Sequence, residues 1–445
     1  MGNFLNRRQF LKRMSLGTAS MAAIPLIEGC NNSSKKRPNI IFMVADNLGR
    51  EAVGYYGSNR FQTPNLNRMA DEGVVFENCL IASPLCAPAR CGWNTGRHPF
   101  RVGINSQPYP ADPESGLALE EVTIAEVLKE AGYHTALIGK WNLGYDIKFN
   151  PVNQGYNEYY GCNAGHADYY THLYNKDMKV HFYRGLEPVN DDGYFDQLFT
   201  DEAIKFLHRR KRKSKPFYLN LCFYAPHGPY QAPPGYYHSK DPHMNYRYMI
   251  EYLDTCVGRV IDEVDRLEMA KDTLIVFLSD QGGSEANGYD RTLWENGLKV
   301  ICNARWKDKI AAGTRVQTPW VHYDLFPTFI ALGHGTLPND RMIDGKNIWS
   351  MFEGEEMAHT RILNWTYGDE DAIRVGDWKL HTTKGEANGL FHLAEDPEEK
   401  NDVSLHHPKK VTEMLALHAE WKVMCEKQQT SKARSGKRYS NRTVK

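Results

Sequence analysis

Net charge, membrane-length apolar runs and internal repetition are what this 445-residue chain lacks. Its 54 basic and 54 acidic side chains balance, so the overall field gives no reason to expect nucleic acid as a partner, and any anion specificity has to be local. Outside the N-terminus no segment approaches the ~20 apolar residues of a membrane span, which argues against a helical membrane bundle. No period repeats along the chain, which argues against a repeat architecture. The length fits one large domain plus a smaller one, with ample sequence for a buried core. Cysteine is present, nine in all, but Cys222 in "FYLNLCFYAP" and Cys256 in "YLDTCVGRVI" sit in apolar surroundings and read as buried thiols. Cys86, in "SPLCAPARCGWNTGR", is different: Pro88 and Arg90 follow it closely, in a loop between a strand-like and a helix-like run.

The first thirty residues read as an address and not a domain. Arg7-Arg8-Gln9-Phe10-Leu11-Lys12 resembles a twin-arginine export signal, and Ile27-Glu28-Gly29-Cys30 resembles a lipobox. Cys30 is then a candidate lipid anchor and the only membrane attachment expected; the alternative is an ordinary secretory signal cleaved elsewhere. Either way the protein is expected to be exported, to the periplasm or to the cell envelope.

Strands and helices alternate through the middle of the chain. "PNIIFMVAD" is a continuous apolar run of the kind covered on both faces, and it ends at Asp46. "TPNLNRMADEG" reads as a helix capped by Thr63, with Pro64 in its first position and Gly73 beyond its end. "VVFENCLIA" follows as a strand leading to the Cys86 loop. Thr123 and Glu126 form a capping box for the next helix, and "YHTALIGK" is a strand ending at Lys140. "KPFYLNLCFYAPH" reads as a strand running out at His227. A helix over 249–267 places apolar residues at 249, 253, 256, 260 and 264 on one face, and "DTLIVFLSD" is a strand ending at Asp280. This pattern predicts an α/β fold with a large, mostly parallel sheet flanked by helices over 37–354. Short strands separated by Gly and Asp turns, then a helix over 410–425, predict a small antiparallel-sheet subdomain over 355–426. The basic tail 427–445 has the composition of a disordered segment.

In such sheets ligands bind beyond the carboxyl ends of the strands, where Asp46, Lys140, His227 and Asp280 all fall. Asp46-Asn47 and Asp280-Gln281 offer two carboxylates and two amide oxygens, a hard donor set suited to Ca²⁺ or Mg²⁺. With Lys140 and His227 beside them, these residues point to metal-assisted chemistry on an anionic ester.

Cys86-Ala87-Pro88-Ala89-Arg90 followed by Thr95-Gly96-Arg97 resembles the C-x-P-x-R…T-G-R signature of the formylglycine-dependent sulfatases, in the alkaline-phosphatase-like superfamily. "NIIFMVADNLG", "GYHTALIGKWNLG", "FYAPHGPY", "LSDQGG", "TLWENGLKV" and "GDWKL…GLFHLAEDPEEKND" occur in that family's order. "DYYTHLY" and "TLWENG" are similar to its arylsulfatase B-like branch. The resemblance implies a sulfated carbohydrate substrate, a sulfatase-maturing enzyme that oxidises Cys86 to formylglycine (3-oxoalanine), and export in folded form by the twin-arginine machinery. It implies Ca²⁺ held by Asp46, Asn47, Asp280 and Gln281, with Arg90 bonded to the modified residue. It also implies a sulfate contact from Lys140 and proton transfer to the leaving oxygen by His227.

The chain departs from the family where Asn47, Asn142, Gln281 and Asp290 stand in place of the usual Asp, His, Asn or His, and Lys. One carboxylate fewer should weaken Ca²⁺ binding. Asn142 cannot accept a proton as an imidazole does, and Asp290 brings like charge towards a sulfate. Two repairs are open: Arg291 supplies the missing cation, or Asp290 holds a proton and acts as an acid. Two further readings stand beside the sulfatase: a silent protein of that fold binding sulfated glycans, and a phosphoester or phosphonate hydrolase of the superfamily.

Overall fold

The computed structural model describes residues 36–175, 177–282, 288–358 and 361–429. The signal-like residues 1–30, Cys30 among them, and residues 430–445 of the basic tail lie outside the described residues. The described residues from Arg37 to Gln429 pack as one compact unit.

Ten strands make the main sheet: β1 (Asn39–Ala45), β2 (Val74–Phe76), β3 (His134–Lys140), β4 (Glu158–Cys162), β5 (Phe182–Arg184), β6 (Glu187–Pro188), β7 (Phe217–Cys222), β8 (Thr273–Ser279), β9 (Cys302–Arg305) and β10 (Thr314–Val316). They are ordered β10-β2-β9-β8-β1-β7-β3-β4-β5-β6. The five central strands, β8 to β4 in that order, are mutually parallel. β9 turns antiparallel against β8, as β5 does against β4.

The longer helices are α1 (Pro64–Asp71), α2 (Cys86–Thr95), α3 (Ile124–Glu130), α4 (Phe195–Arg210), α5 (Pro242–Arg266), α6 (Leu325–Leu332) and α7 (Pro408–Lys427). Two cores explain why β1 is apolar from Ile40 to Ala45. Ile40, Phe42 and Val44 join Trp93 of α2, Leu128 of α3 and Phe329 of α6 on one face of the sheet. Ile41, Met43 and Ala45 join Met69 of α1, Phe199 of α4 and Val257 of α5 on the other. A strand covered on both faces leaves no position for water-facing side chains.

Four further strands, β11 (Ile362–Tyr367), β12 (Glu370–Val375), β13 (Trp378–Thr383) and β14 (Glu386–His392), form an antiparallel sheet in sequence order. Ile373, Leu380 and Leu390 pack on Met414 of α7. A buried charge cluster ties this sheet to the main one. Lys379 on β13 reaches Glu295 at 3.2 Å and Glu399 at 2.9 Å, and Arg374 on β12 reaches Glu295 at 3.4 Å.

Several local expectations need correction. "VVFENCLIA" is not one strand: it breaks after Phe76, and Cys79–Leu80 pairs instead with Trp320–Val321. The break falls where Glu77 is taken by Arg50 and Arg315 and Asn78 donates to the Gln317 carbonyl. Cys86 is not in a loop but is the first residue of α2. Pro88 falls in the first helical turn, where a missing N–H costs nothing. The strand expected to run to His227 stops at Cys222: Phe223 N still donates to Val44 O at 2.8 Å, but Asp196 takes the N–H groups of Tyr224 and Ala225 after it. α5 begins at Pro242, seven residues before Met249, where Asp241 caps it by accepting from His243 N at 2.9 Å. Thr63 precedes α1, but its hydroxyl accepts from Gly54 N at 3.0 Å and caps nothing. The Thr123–Glu126 capping box on α3 is present as expected.

Candidate active site

Asp46 follows β1, Asp280 follows the adjacent β8 and Lys140 ends β3, one strand beyond β7, so three carboxyl edges on the same side of the sheet deliver three charged side chains to one place. The backbone continues the sheet just far enough to fix them: Asp280 N donates to Ala45 O at 3.0 Å and Asp46 N to Ala225 O at 3.1 Å. Cys86, at the start of α2, is 5% exposed. Its sulfur stands 3.4 Å from Asp46 Oδ1, 4.0 Å from Asn47 Oδ1 and 3.8 Å from Gln281 Oε1.

Two buried cations sit behind these oxygens. Lys140 Nζ pairs with Asp46 Oδ2. Arg90, one turn along α2 from Cys86, donates to Asp280 Oδ2 at 2.8 Å and to the Lys140 carbonyl at 2.9 Å. Asn47 N donates to Asp280 Oδ1 at 3.1 Å.

Burial dominates the local acidities. It raises the Asp280 carboxyl to about 6, with Asp46 adding to the rise and Arg90 opposing it. Burial also raises the Cys86 thiol well above its ordinary value, Asp46 next. Residue 86 as cysteine is therefore a neutral thiol and a poor nucleophile. For Lys140 burial works against the charge, but Asp46 overrides it and the net shift is upward, so the ammonium persists.

His227 completes the pocket. One ligand-capable atom each from Asp46, Cys86 and His227 lie within 4.8 Å of one another. Nδ1 faces the Gly228 carbonyl at 2.7 Å, where it must be the donor, so the neutral ring presents a bare Nε2. Burial, then the Lys140 ammonium, lowers its pKa to about 4, which keeps that nitrogen an acceptor near neutrality. His166 stacks on the ring with centroids 5.7 Å apart and an interplanar angle of 16°.

The donor set suits a hard divalent cation. Three side-chain oxygens converge on one sulfur, whose single proton can satisfy only one of them. Oxygens crowded without donors are what a cation relieves, and carboxylate and amide oxygens suit Ca²⁺ or Mg²⁺. The residues present fit such an ion.

Three residues named from sequence remain: Asn142, Asp290 and Arg291. Asn142 is buried and its amide donates to Gln107 Oε1 at 2.8 Å. Asp290 accepts from Gln281 Nε2 at 3.2 Å and faces Arg291 Nε at 3.4 Å, while the Arg291 side chain is 62% exposed. Asn47, Asn142 and Arg291 all take left-handed backbone, with φ of 64°, 58° and 57°. Asparagine tolerates that conformation better than most residues, and strained positions gather at functional sites.

Sequence reasoning missed two supports. Asp196, in the first turn of α4 and fully buried, accepts from Tyr224 N at 2.8 Å and Ala225 N at 3.0 Å. It thereby ends β7 and holds the segment that carries His227. His322 Nδ1 accepts from Ala82 N at 3.2 Å, and its Nε2 faces the Ala89 carbonyl at 2.6 Å, fixing α2 beside the strand before it. A buried Asp on an amphipathic helix and a histidine in "WVHYDLF" carry no local motif, so neither could be found without the tertiary contacts.

A mostly parallel sheet of this order, with a cation-ready cluster at its carboxyl edge and a small antiparallel sheet beside it, defines the alkaline-phosphatase-like architecture of anionic-ester hydrolases. The sulfatase family model matches residues 38–335. Human steryl-sulfatase is 30% identical over 433 residues, covering 76% of this chain and 74% of that protein. Human N-acetylgalactosamine-6-sulfatase is 30% identical over 377 residues, covering 77% and 71%. Among solved structures, Ps i-CgsB in complex with k-i-k-neocarrahexaose superposes with a TM-score of 0.79 at 28% identity, covering 87% of this chain and 93% of that one. The chain belongs to the sulfatase family, and it is a sulfuric ester hydrolase.

Proposed function

We propose that this hydrolase removes sulfate from a sulfated carbohydrate outside the cytoplasm, with Cys86 matured to formylglycine and a divalent cation, Ca²⁺ or Mg²⁺, in the oxygen cluster. The observation that carries the reading is the setting of Cys86. As a thiol it is buried, protonated and inert, yet it stands at the centre of every charged group in the pocket. Its position makes chemical sense once it has been converted to something else. Once matured, the formylglycine hydrate would supply one hydroxyl to attack sulfur as the sugar alcohol departs, and a second whose deprotonation would expel sulfate and restore the aldehyde. Asp46, Asn47, Asp280 and Gln281 would hold the cation, which polarises sulfate oxygens.

The chain's own residues do the rest. Lys140, kept charged by Asp46, is placed to ground a sulfate oxygen in a site largely closed to water, where such a contact is strongest. Arg90 holds Asp280 against the cluster and, one turn along the same helix, would bond the matured residue 86. His227, with Nδ1–H spent on Gly228, can take a proton at Nε2 and return it to the leaving oxygen. Asn142, Asp290 and Arg291 are assigned to the substrate side of the site, with the Arg291 guanidinium exposed to solvent. A carbohydrate substrate is supported by Ps i-CgsB, whose bound k-i-k-neocarrahexaose is an oligosaccharide. We assign 37–354 to catalysis, 355–426 to a supporting subdomain, and 1–30 to export through a twin-arginine signal with lipid attachment at Cys30. Among the described residues no helix is long and apolar enough to cross a membrane.

Peptide mass spectrometry across Cys86, on protein co-expressed with a sulfatase-maturing enzyme, tests the central claim. The aldehyde in place of the thiol, together with sulfate release from sulfated oligosaccharides, is the expected result. Unmodified thiol, while a control sulfatase is converted, would leave the mechanism without its nucleophile.

A further inference from the structure

We propose that Asp290 is a positioning residue of the cation site: it orients the Gln281 carboxamide and lends it, through that amide, negative charge the primary donor set lacks. The inference rests on reading the cluster around Cys86 as a divalent-cation site. Of the four donors only Asp46 and Asp280 are carboxylates, and each already faces a buried cation, Lys140 for the first and Arg90 for the second. Two carboxylates against two cations leave the pocket with no surplus negative charge for an incoming ion. Asn47 and Gln281 add oxygens but no charge.

Gln281 has a further problem, because a carboxamide can turn either end towards the pocket. With its nitrogen inward it would repel a cation. The structure shows what selects the useful orientation: Nε2 donates to Asp290 Oδ1 at 3.2 Å, and Oε1 consequently faces Cys86 Sγ at 3.8 Å. An amide whose N–H is held by a carboxylate is polarised towards greater negative charge on its oxygen, as with other partners behind metal ligands. Gln281 is 4% exposed, so little water competes for that bond. Asp290 itself faces Arg291, whose exposed guanidinium steadies the carboxylate from the solvent side. A carboxylate at 290, which at first sight repels sulfate, here sits behind the ligand it serves.

The test is calcium titrated by calorimetry into the EDTA-stripped full chain, comparing wild type with Asp290→Asn, Asp290→Ala and Arg291→Gln. Loss of a partner behind a metal ligand typically costs about 10- to 100-fold in affinity, so both Asp290 variants should raise the dissociation constant by that factor. Arg291→Gln should leave it unchanged or lower it. Melting in EDTA separates a structural role: the Asp290 variants should melt with the wild type there and differ only in how much added calcium raises the midpoint. Equal dissociation constants for wild type and both Asp290 variants would overturn the assignment, and so would absence of cation binding by the wild type. Sulfate-ester hydrolysis is measured separately on matured protein, so failure of the sulfatase reading would leave the comparison of affinities intact.

Discussion

Replacing Glu295 by Gln should cost the protein about 3 kcal/mol near pH 7, and the structure shows why. Glu295 is 1% exposed and faces Lys379 at 3.2 Å, Arg374 at 3.4 Å and Lys299 at 3.6 Å. Burial alone would raise its pKa; Lys379 first, then Arg374 and Lys299, override this and hold it at about 2, below its ordinary 4.5. A difference of ~2.5 units at ~1.36 kcal/mol each is about 3 kcal/mol of stability. The figure falls at the lower end of what breaking a buried ion pair costs, ~3–5 kcal/mol. That is reasonable, since Lys379 keeps Glu399 at 2.9 Å after the change. The sign of the pH dependence follows from the depressed value: this stability is complete above the unfolded pKa and is lost as pH falls through about 2. The assay is urea unfolding of wild type and Glu295→Gln at about pH 7 and at several lower values. The gap between them should narrow as acid protonates the wild-type carboxylate. A gap below about 1 kcal/mol near neutrality, or one that stays full in acid, would refute the reasoning, because the buried cations would then not be holding the Glu295 carboxylate charged.

Two other expectations are simpler to check. Asp196→Ala leaves the buried N–H groups of Tyr224 and Ala225 without acceptors; at ~1–3 kcal/mol each, partly offset by losing a buried carboxyl, stability should fall. Turnover should fall with KM little changed, since His227 loses its footing, and steady-state kinetics on matured protein with unchanged kcat would count against the role given to Asp196. Cys30→Ala should move the protein from the membrane fraction to the soluble one, and equal partition of the two in fractionated cells would count against lipid attachment at that residue.

The strand ends that carry chemistry were legible because the physics behind them is local. A strand covered on both faces must be apolar throughout, so the first charged residue after "NIIFMVA" or "TLIVFLS" marks both the end of the strand and the edge of the sheet. That reasoning located Asp46, Lys140 and Asp280 to the residue, and the structure brings all three together with Cys86 and Arg90. It failed for β7, where the apolar run continues past Cys222. The strand stops there because Asp196, remote in sequence, takes the two N–H groups that a neighbouring strand would have used. It failed again at Cys86, where proline in a first helical turn and proline in a loop look alike.

The amino-acid sequence by itself determined the sheet, its covering helices, the antiparallel appendage and the family, since each rests on periodicity or on a contiguous motif. Only the tertiary structure shows how the side chains at 281 and 290 pair. Side-chain amides have no orientation in a sequence. Gln281 presents oxygen and not nitrogen because Asp290 lies within hydrogen-bond reach of its other end, and Arg291 turns outward to that same carboxylate. Such pairings depend on where two loops meet, and the distance between them is a property of the packed fold.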